Sequence, residues 1–255
     1  MPNIPVSSVK HAVILAAGRG TRMGEQGIVK PKGFIQVGSK PIIEESLIRL
    51  KRAGIKKVTL VTGHKSKFYQ QLAIEQGDWV ETIENPVYAD SGSFYSLAML
   101  DGRINEDFIL LESDLIYEQR ALDTLQNDER ADVILLSGKT GSGDEVYVET
   151  TNTGENMILK TMSKDRSQLS AVIAGELVGI SKVSLSLFNN MMDIAKPLFE
   201  KTRHFEYEAE GFVQAAKTQP IYCHCIDDLA WSEIDDLNHL QRATDVIYPR
   251  LESLS

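Results

Sequence analysis

The chain has 255 residues, 42% apolar and 25% charged, the balance of an ordinary globular protein with a sizeable core. Its 27 basic and 36 acidic side chains leave a net charge of −9, and no basic stripe runs outside one short loop, which argues against a duplex nucleic-acid partner. The apolar run AVILAA near the start is too short for a signal segment, no stretch is long enough to span a bilayer, and the only cysteines, Cys223 and Cys225, are too close for a disulfide framework, so a cytoplasmic, membrane-free protein is expected.

In chain order, His11–Ala17 reads as a buried strand. Pro41–Ala53 carries Ile42, Ile43, Leu47, Ile48 and Leu50 at helical spacing, with Pro41 placed for a first turn. Lys57–Thr62 is a β-rich run, and Lys65–Gln76 and Phe94–Leu100 read as helices. DFILLESD is a strand ending in acids, Glu118–Gln126 is a helix, and 132–137 is again a strand. This alternation predicts an α/β, Rossmann-like, mainly parallel sheet flanked by helices on both faces. After Ser137 the pattern changes. EVYVETT, NMILKTMSK and AVIAGELVGISKV read as strands joined by polar turns, a small antiparallel β-section inserted in or appended to the sheet. Helices are expected at Leu185–Glu200, Glu206–Lys217 and Leu237–Leu251, and strands at IYCHCI and WSEID. Without a repeat or linker, residues 1–255 form a single domain.

The first strand runs into LAAGRGTRMGEQGIVKPKGF, Leu15 to Phe34, where Arg19, Arg22, Lys30 and Lys32 gather around one acid, Glu25. Glycines let backbone N–H groups approach an anion closely, and the carboxyl end of a parallel strand is where α/β sheets bind ligands. The dinucleotide pattern G-x-G-x-x-G fails, because Met23 stands where the third glycine belongs, and no G-x-x-x-x-G-K-[ST] string occurs. Four cations in one loop would repel one another, and a triphosphate would neutralise them.

LAAGRGTRM followed by KPKGF resembles the signature of the sugar-nucleotidyltransferase superfamily, whose members move a nucleoside monophosphate from an NTP to a phosphorylated acceptor. KPIIE, LVTG, ESD and EIDD extend the resemblance over most of the chain. It implies a nucleotide-diphospho-sugar transferase type of fold, with residues 1–137 as the nucleotide-binding half and 138–255 as the acceptor-binding half. By this resemblance Arg22 and Lys32 hold the triphosphate and the transferring phosphate. Leu15, Ala16, Ala17, Gly18, Arg19, Gly20, Thr21 and Gly63 line the nucleotide. NPVYADSGSFYSL is similar to a segment of the small bacterial cytidylyltransferases that activate phosphocholine or 2-aminoethylphosphonate, which adds Ser91, Gly92 and Ser93.

Glu112 and Asp114 stand at i and i+2 on one strand end, and Glu233 and Asp235 repeat that spacing. Two strand ends that converge could share a divalent ion. The alternative is a set of solvated acids, with Asp235 or Asp236 capping the last helix. The resemblance implies Mg²⁺ on Asp114 and Asp235 with Glu233, and puts Glu112 beside the nucleotide. An acceptor with a cationic end wants carboxylates or aromatic faces, which Glu206, Glu208, Glu210, Tyr95 and Trp231 can offer; Tyr95 and Trp231 would serve equally as core. Lys160 and Lys164 could reach phosphate or sit solvated. His224 faces away from both cysteines in a strand and suggests no zinc site.

The function so implied is Mg²⁺-dependent transfer of CMP from CTP to 2-aminoethylphosphonate. Phosphocholine is the alternative acceptor, and a sugar-1-phosphate nucleotidyltransferase or an inactive nucleotide-binding regulator are further alternatives. The expected partners are CTP and a small zwitterionic acceptor, and a homodimer is left open.

Overall fold

His11–Ala16 (β1) is buried at every position, as befits a strand covered on both faces and paired on both edges. Lys57–Thr62 (β2) lies parallel to it on one side, followed by Val80–Glu84 (β3); Phe108–Glu112 (β4) lies parallel on the other. The register aligns Ala16 with Thr62, Thr62 with Glu84, and Leu15 with Glu112. The loops after all four strands therefore leave at the same end of the sheet, and that end carries the site. The computed structural model describes residues 8–154, 156–170 and 172–254.

Helices cover both faces. Ile42–Arg52 (α1), Ser66–Gln76 (α2) and Arg120–Asn127 (α3) bury Leu47, Leu72 and Leu125 in one apolar cluster against Ile14 and Leu60. Ser93–Ala98 and Leu185–Phe199 bury Phe94 and Phe188 in a second cluster with Val13 and Leu110. Alternate residues of β1 and β4 thus feed opposite layers, as the two-residue period of a strand requires. Each such large side chain contributes about 1.5–3 kcal/mol on burial.

The antiparallel part is not an appendage. Gly175–Val183 is the last strand but two in the chain, yet it sits in the middle of a nine-stranded sheet, antiparallel to β4 and to Val133–Ser137. Tyr222–Ile226 pairs parallel with 133–137, and Asn156–Ser163 and Tyr147–Thr153 follow as antiparallel neighbours. Tyr147 and Val148 pair back onto Glu176 and Gly175, so this half of the sheet curls on itself. The sheet is mixed rather than mainly parallel, because one long strand bridges the two parallel groups.

Two short strands escape the sequence pattern. In β3 only Val80 is buried, so its polar VETIE alternation gives an edge strand with little hydrophobic signal. Leu115–Tyr117 is three residues long and pairs antiparallel with Trp231–Glu233 in a separate two-stranded sheet. The expected strand at AVIAGELVGISKV begins only at Gly175; Ala171, where it was expected to start, lies outside the described residues, as do residues 1–7 of the opening stretch. No described helix is long and apolar enough to cross a membrane.

Candidate active site

Gly20 holds φ of 62°, a left-handed turn that a side chain would strain, and it begins the short helical turn Thr21–Met23 that aims Arg22 inward. A second turn, Lys32–Phe34, follows Pro31 and fixes Lys32 beneath the loop. These turns form one wall of a cleft of about 690 Å³, within the roughly 300–1,000 Å³ usual for small-ligand sites. Leu15, Ala17, Gly18, Arg19, Gly20 and Thr21 line it with Arg22 and Lys32. Ser91, Gly92 and Ser93 come from the loop after β3, and Glu112 and Asp114 from the end of β4.

Glu233 and Asp235 arrive from far along the chain. The pairing of Glu233 with Leu115, together with a 3.0 Å bond from the Ile234 amide to the Asp114 carbonyl, sets the two acid pairs side by side. Asp236 settles the capping question, since its carboxylate accepts from the His239 amide at 2.9 Å and leaves Asp235 free to face the cleft. Lys32 Nζ donates to Asp114 Oδ2 at 2.8 Å and also to Asp235 Oδ1. Arg22 reaches Asp235 Oδ2 at 2.7 Å. Burial alone would lower the Lys32 pKa, but Asp114 and Asp235 outweigh it and hold the ammonium above its ordinary value. Burial opposes ionisation of Asp235, yet Lys32 and Arg22 draw its pKa down to about 2.

Asp114 shares Lys32, but Glu112 and Glu233 are pushed the other way. Glu112, Asp114 and Glu233 each place an oxygen within 4.8 Å of the others. Burial, then Asp114 and Glu112, push Glu233 up to about 10. Burial, then Glu208 and Asp114, push Glu112 well above the carboxylate range, although the Tyr207 hydroxyl donates to it at 3.0 Å. Burial raises Glu208 to about 7. Three converging carboxylates, Asp114 buried and Glu112 and Glu233 half-buried, fit a divalent ion, whose oxygen ligands at about 2.0–2.6 Å lie up to about 4–5 Å apart. The cluster differs from the expected trio: Glu112 joins Asp114 and Glu233, while Asp235 is occupied by Lys32 and Arg22.

Four expected residues do not line the cleft. Ala16 is buried within β1. Gly63 serves packing, because a Cβ there would stand 2.5 Å from Tyr88 Cβ. Tyr95 turns towards Phe199, with ring centroids 5.0 Å apart, and the Arg203 guanidinium covers its ring. Trp231 faces a separate small cavity with Thr140, His239 and Arg242. Neither aromatic is placed to meet an acceptor in the cleft.

The expected helix after Glu206 opens as a wider π turn, Tyr207–Phe212. Glu206 accepts from the Ser93 amide and hydroxyl, and Glu210 accepts from the Glu206 amide at 3.0 Å. Glu206 ties the turn to the helix at Ser93 and also reaches the cleft lining, while Glu210 closes the turn on itself. Glu208 alone turns to the carboxylate cluster. Lys160 is drawn off to Glu149, whereas Lys164 lines the cleft. Tyr69 and Met162 line the cleft unforeseen, because a buried aromatic or methionine at a site looks in sequence like any core residue; Tyr207, an aromatic that the acidic segment also offered, is buried and donates to Glu112. His224, in the strand Tyr222–Ile226, contacts Asp128 at 3.2 Å.

Fold and cleft together define a nucleotidyltransferase-type α/β domain. Residues 12–247 match the MobA-like NTP transferase domain, and the chain belongs to that family. It is 30% identical over 235 residues to a CMP-5'-(3-aminopropyl)phosphonate synthase of Streptomyces rubellomurinus, covering 89% of this chain and 37% of that protein. It is 31% identical over 107 residues to a choline-phosphate cytidylyltransferase of Streptococcus pneumoniae, covering 42% of this chain and 53% of that one. The chain thus matches about half or less of the length of these relatives. The inositol-1-phosphate CTP transferase from T. maritima superposes with a TM-score of 0.80 at 17% identity, covering 98% of this chain and 97% of that one, a likeness of fold.

Proposed function

We propose that the chain is a cytidylyltransferase that transfers CMP from CTP to a small aminoalkylphosphonate, with 2-aminoethylphosphonate as the leading acceptor. The observation that carries this reading is the meeting, in one cleft, of Arg22 and Lys32 with the carboxylates Glu112, Asp114, Glu233 and Glu208. The cations suit a triphosphate, and the acids suit a divalent ion and an ammonium group. The relative from Streptomyces supports a phosphonate with a terminal amine. The pneumococcal relative supports phosphocholine as the second reading, since both acceptors pair an anionic oxygen with a cationic nitrogen.

In the reaction, an acceptor oxygen forms a bond to the α-phosphorus of CTP, the bond from that phosphorus to the bridging oxygen breaks, and pyrophosphate leaves. A phosphate monoester loses its second proton at about pH 6, so its attacking oxygen is largely ionised near neutrality and no general base is needed. Lys32 holds the α-phosphate oxygens, and Arg22 takes the charge that grows on the leaving pyrophosphate. A divalent ion, proposed as Mg²⁺ on Glu112, Asp114 and Glu233, would neutralise the triphosphate. Residues up to 137 serve the nucleotide and most of those after it the acceptor, with Glu233 and Asp235 closing the site and Lys164 adding a cation from the second half.

Pyrophosphate release tests this, measured with Mg²⁺ across four NTPs and three acceptors: 2-aminoethylphosphonate, phosphocholine and glucose 1-phosphate. Release with CTP and 2-aminoethylphosphonate is expected. Release only with UTP or dTTP and glucose 1-phosphate would replace the proposal with a sugar-nucleotide reading. Binding of CTP without any release would point to a regulator.

Glu208 gives a second expected outcome. A buried carboxylate facing an ammonium contributes a charge-assisted contact, so Glu208→Gln should raise the acceptor KM about ten- to hundredfold while CTP KM stays near the unaltered value. Equal effects on both substrates, in steady-state kinetics, would remove the ammonium contact.

A further inference from the structure

Asp144 stands on the loop between Ser137 and Tyr147, at the edge of the cleft. Its Oδ2 accepts from Arg22 Nη1 at 3.0 Å, and its Oδ1 accepts from Lys164 Nζ at 2.8 Å. Both cations line the cleft, one from the glycine-rich loop and one from beyond the strand Asn156–Ser163. One carboxylate thus joins two cleft-lining cations from segments far apart in the chain.

The loop that carries it is held in place. The Thr140 amide donates to Glu176 Oε2 at 2.9 Å, Arg242 Nη2 donates to the Thr140 carbonyl at 3.1 Å, and His239 Nε2 lies 3.3 Å from the Ser142 carbonyl. Asp144 is therefore a mounted group, with its side chain only 24% exposed, while Arg22 and Lys164 are 56% and 55% exposed on long flexible stems. The movable partners are the cations.

We propose that Asp144 is an internal anion that holds Arg22 and Lys164 when no triphosphate is bound, gives them up to the triphosphate, and reclaims them as pyrophosphate leaves. This rests on the reading of the cleft as a triphosphate site. A carboxylate offers two oxygens to two cations, whereas a triphosphate offers more oxygens and more charge, so the exchange favours the ligand. The cost is the breaking of two ion pairs whose cations are largely exposed, and Arg22 keeps Asp235 as a second partner at 2.7 Å. Asp144 therefore tempers affinity for polyphosphate, and the larger effect falls on the product that has only polyphosphate contacts to hold it.

The experiment is titration calorimetry of the full chain with pyrophosphate, with and without Mg²⁺, for the unaltered protein, Asp144→Asn and Lys164→Ala. With two ordinary exposed pairs no longer to be broken, Asp144→Asn should bind pyrophosphate about three- to tenfold more tightly. Lys164→Ala should bind it more weakly, and combining the two should cancel most of the gain. Product inhibition by pyrophosphate should strengthen in Asp144→Asn by a similar factor. Unchanged or weaker binding in Asp144→Asn would overturn the proposal and make Asp144 a preorganising or idle surface partner. If the unaltered protein binds neither CTP nor pyrophosphate, the triphosphate reading itself falls, and the proposal falls with it. A thermal melt of Asp144→Asn near that of the unaltered protein excludes loss of the loop as the cause.

Discussion

Lys32→Ala is expected to lower kcat on the order of a thousandfold, the scale set by removing a preorganised charge from a transition state. Of the two cations placed on the triphosphate, Lys32 is the one that the fold holds more firmly. Its side chain is 15% exposed, against 56% for Arg22, and it bridges Asp114 and Asp235 from the two halves of the chain. In the proposed reaction, an ammonium so placed needs no reorganisation when charge moves from the α-phosphate towards pyrophosphate. The deletion also leaves Asp114 and Asp235 facing each other with only Arg22 near one of them. Breaking a buried pair from one side costs about 3–5 kcal/mol, so the variant should melt lower. Lys32→Met separates the two effects, because it keeps the stem that packs near Gly20 while removing the charge. Steady-state kinetics alongside melting curves decide the matter. A kcat near that of the unaltered protein in either variant would end the assignment of Lys32 to the reaction.

Asp114→Asn is expected to abolish saturable divalent-cation binding and to cut turnover by about a hundred- to a thousandfold. Asp114 is the carboxylate common to both parts of the site: it belongs to the cluster with Glu112 and Glu233, and it accepts from Lys32. The amide keeps the shape and leaves the backbone bond from Ile234 intact, so the strand pairing that assembles the site should survive. Electron paramagnetic resonance of Mn²⁺ titrated into each protein reads the binding directly, without substrate. Retained Mn²⁺ affinity with lost turnover would leave Asp114 as a partner of Lys32 alone. Retained affinity and turnover together would remove it from the site.

These two residues also divide what could be read from the chain. Lys32 was legible because its chemistry is local: a buried strand, a glycine-rich loop and a cluster of cations lie within a few turns of chain. Glu112 and Asp114 were legible as acids at a strand end for the same reason. Asp235 and Glu233 were legible only as a second such pair. Nothing near them states that Trp231–Glu233 will pair with Leu115–Tyr117, and that pairing is what brings them to Asp114.

Local sequence was enough to reveal the buried strands, the helices that cover them and the glycine-rich loop with its cations. Each depends on side-chain period and backbone freedom over a few residues. The tertiary structure decided that Gly175–Val183 would enter the middle of the sheet, that Tyr95 and Trp231 would turn away from the cleft, and that Glu206 and Glu210 would staple a turn while Glu208 faced the acids. It also decided that Asp144 would span Arg22 and Lys164. These outcomes depend on register between strands far apart in the chain and on which buried charges find partners. That is a competition among distant groups for the same few positions, and no short stretch of sequence contains its terms.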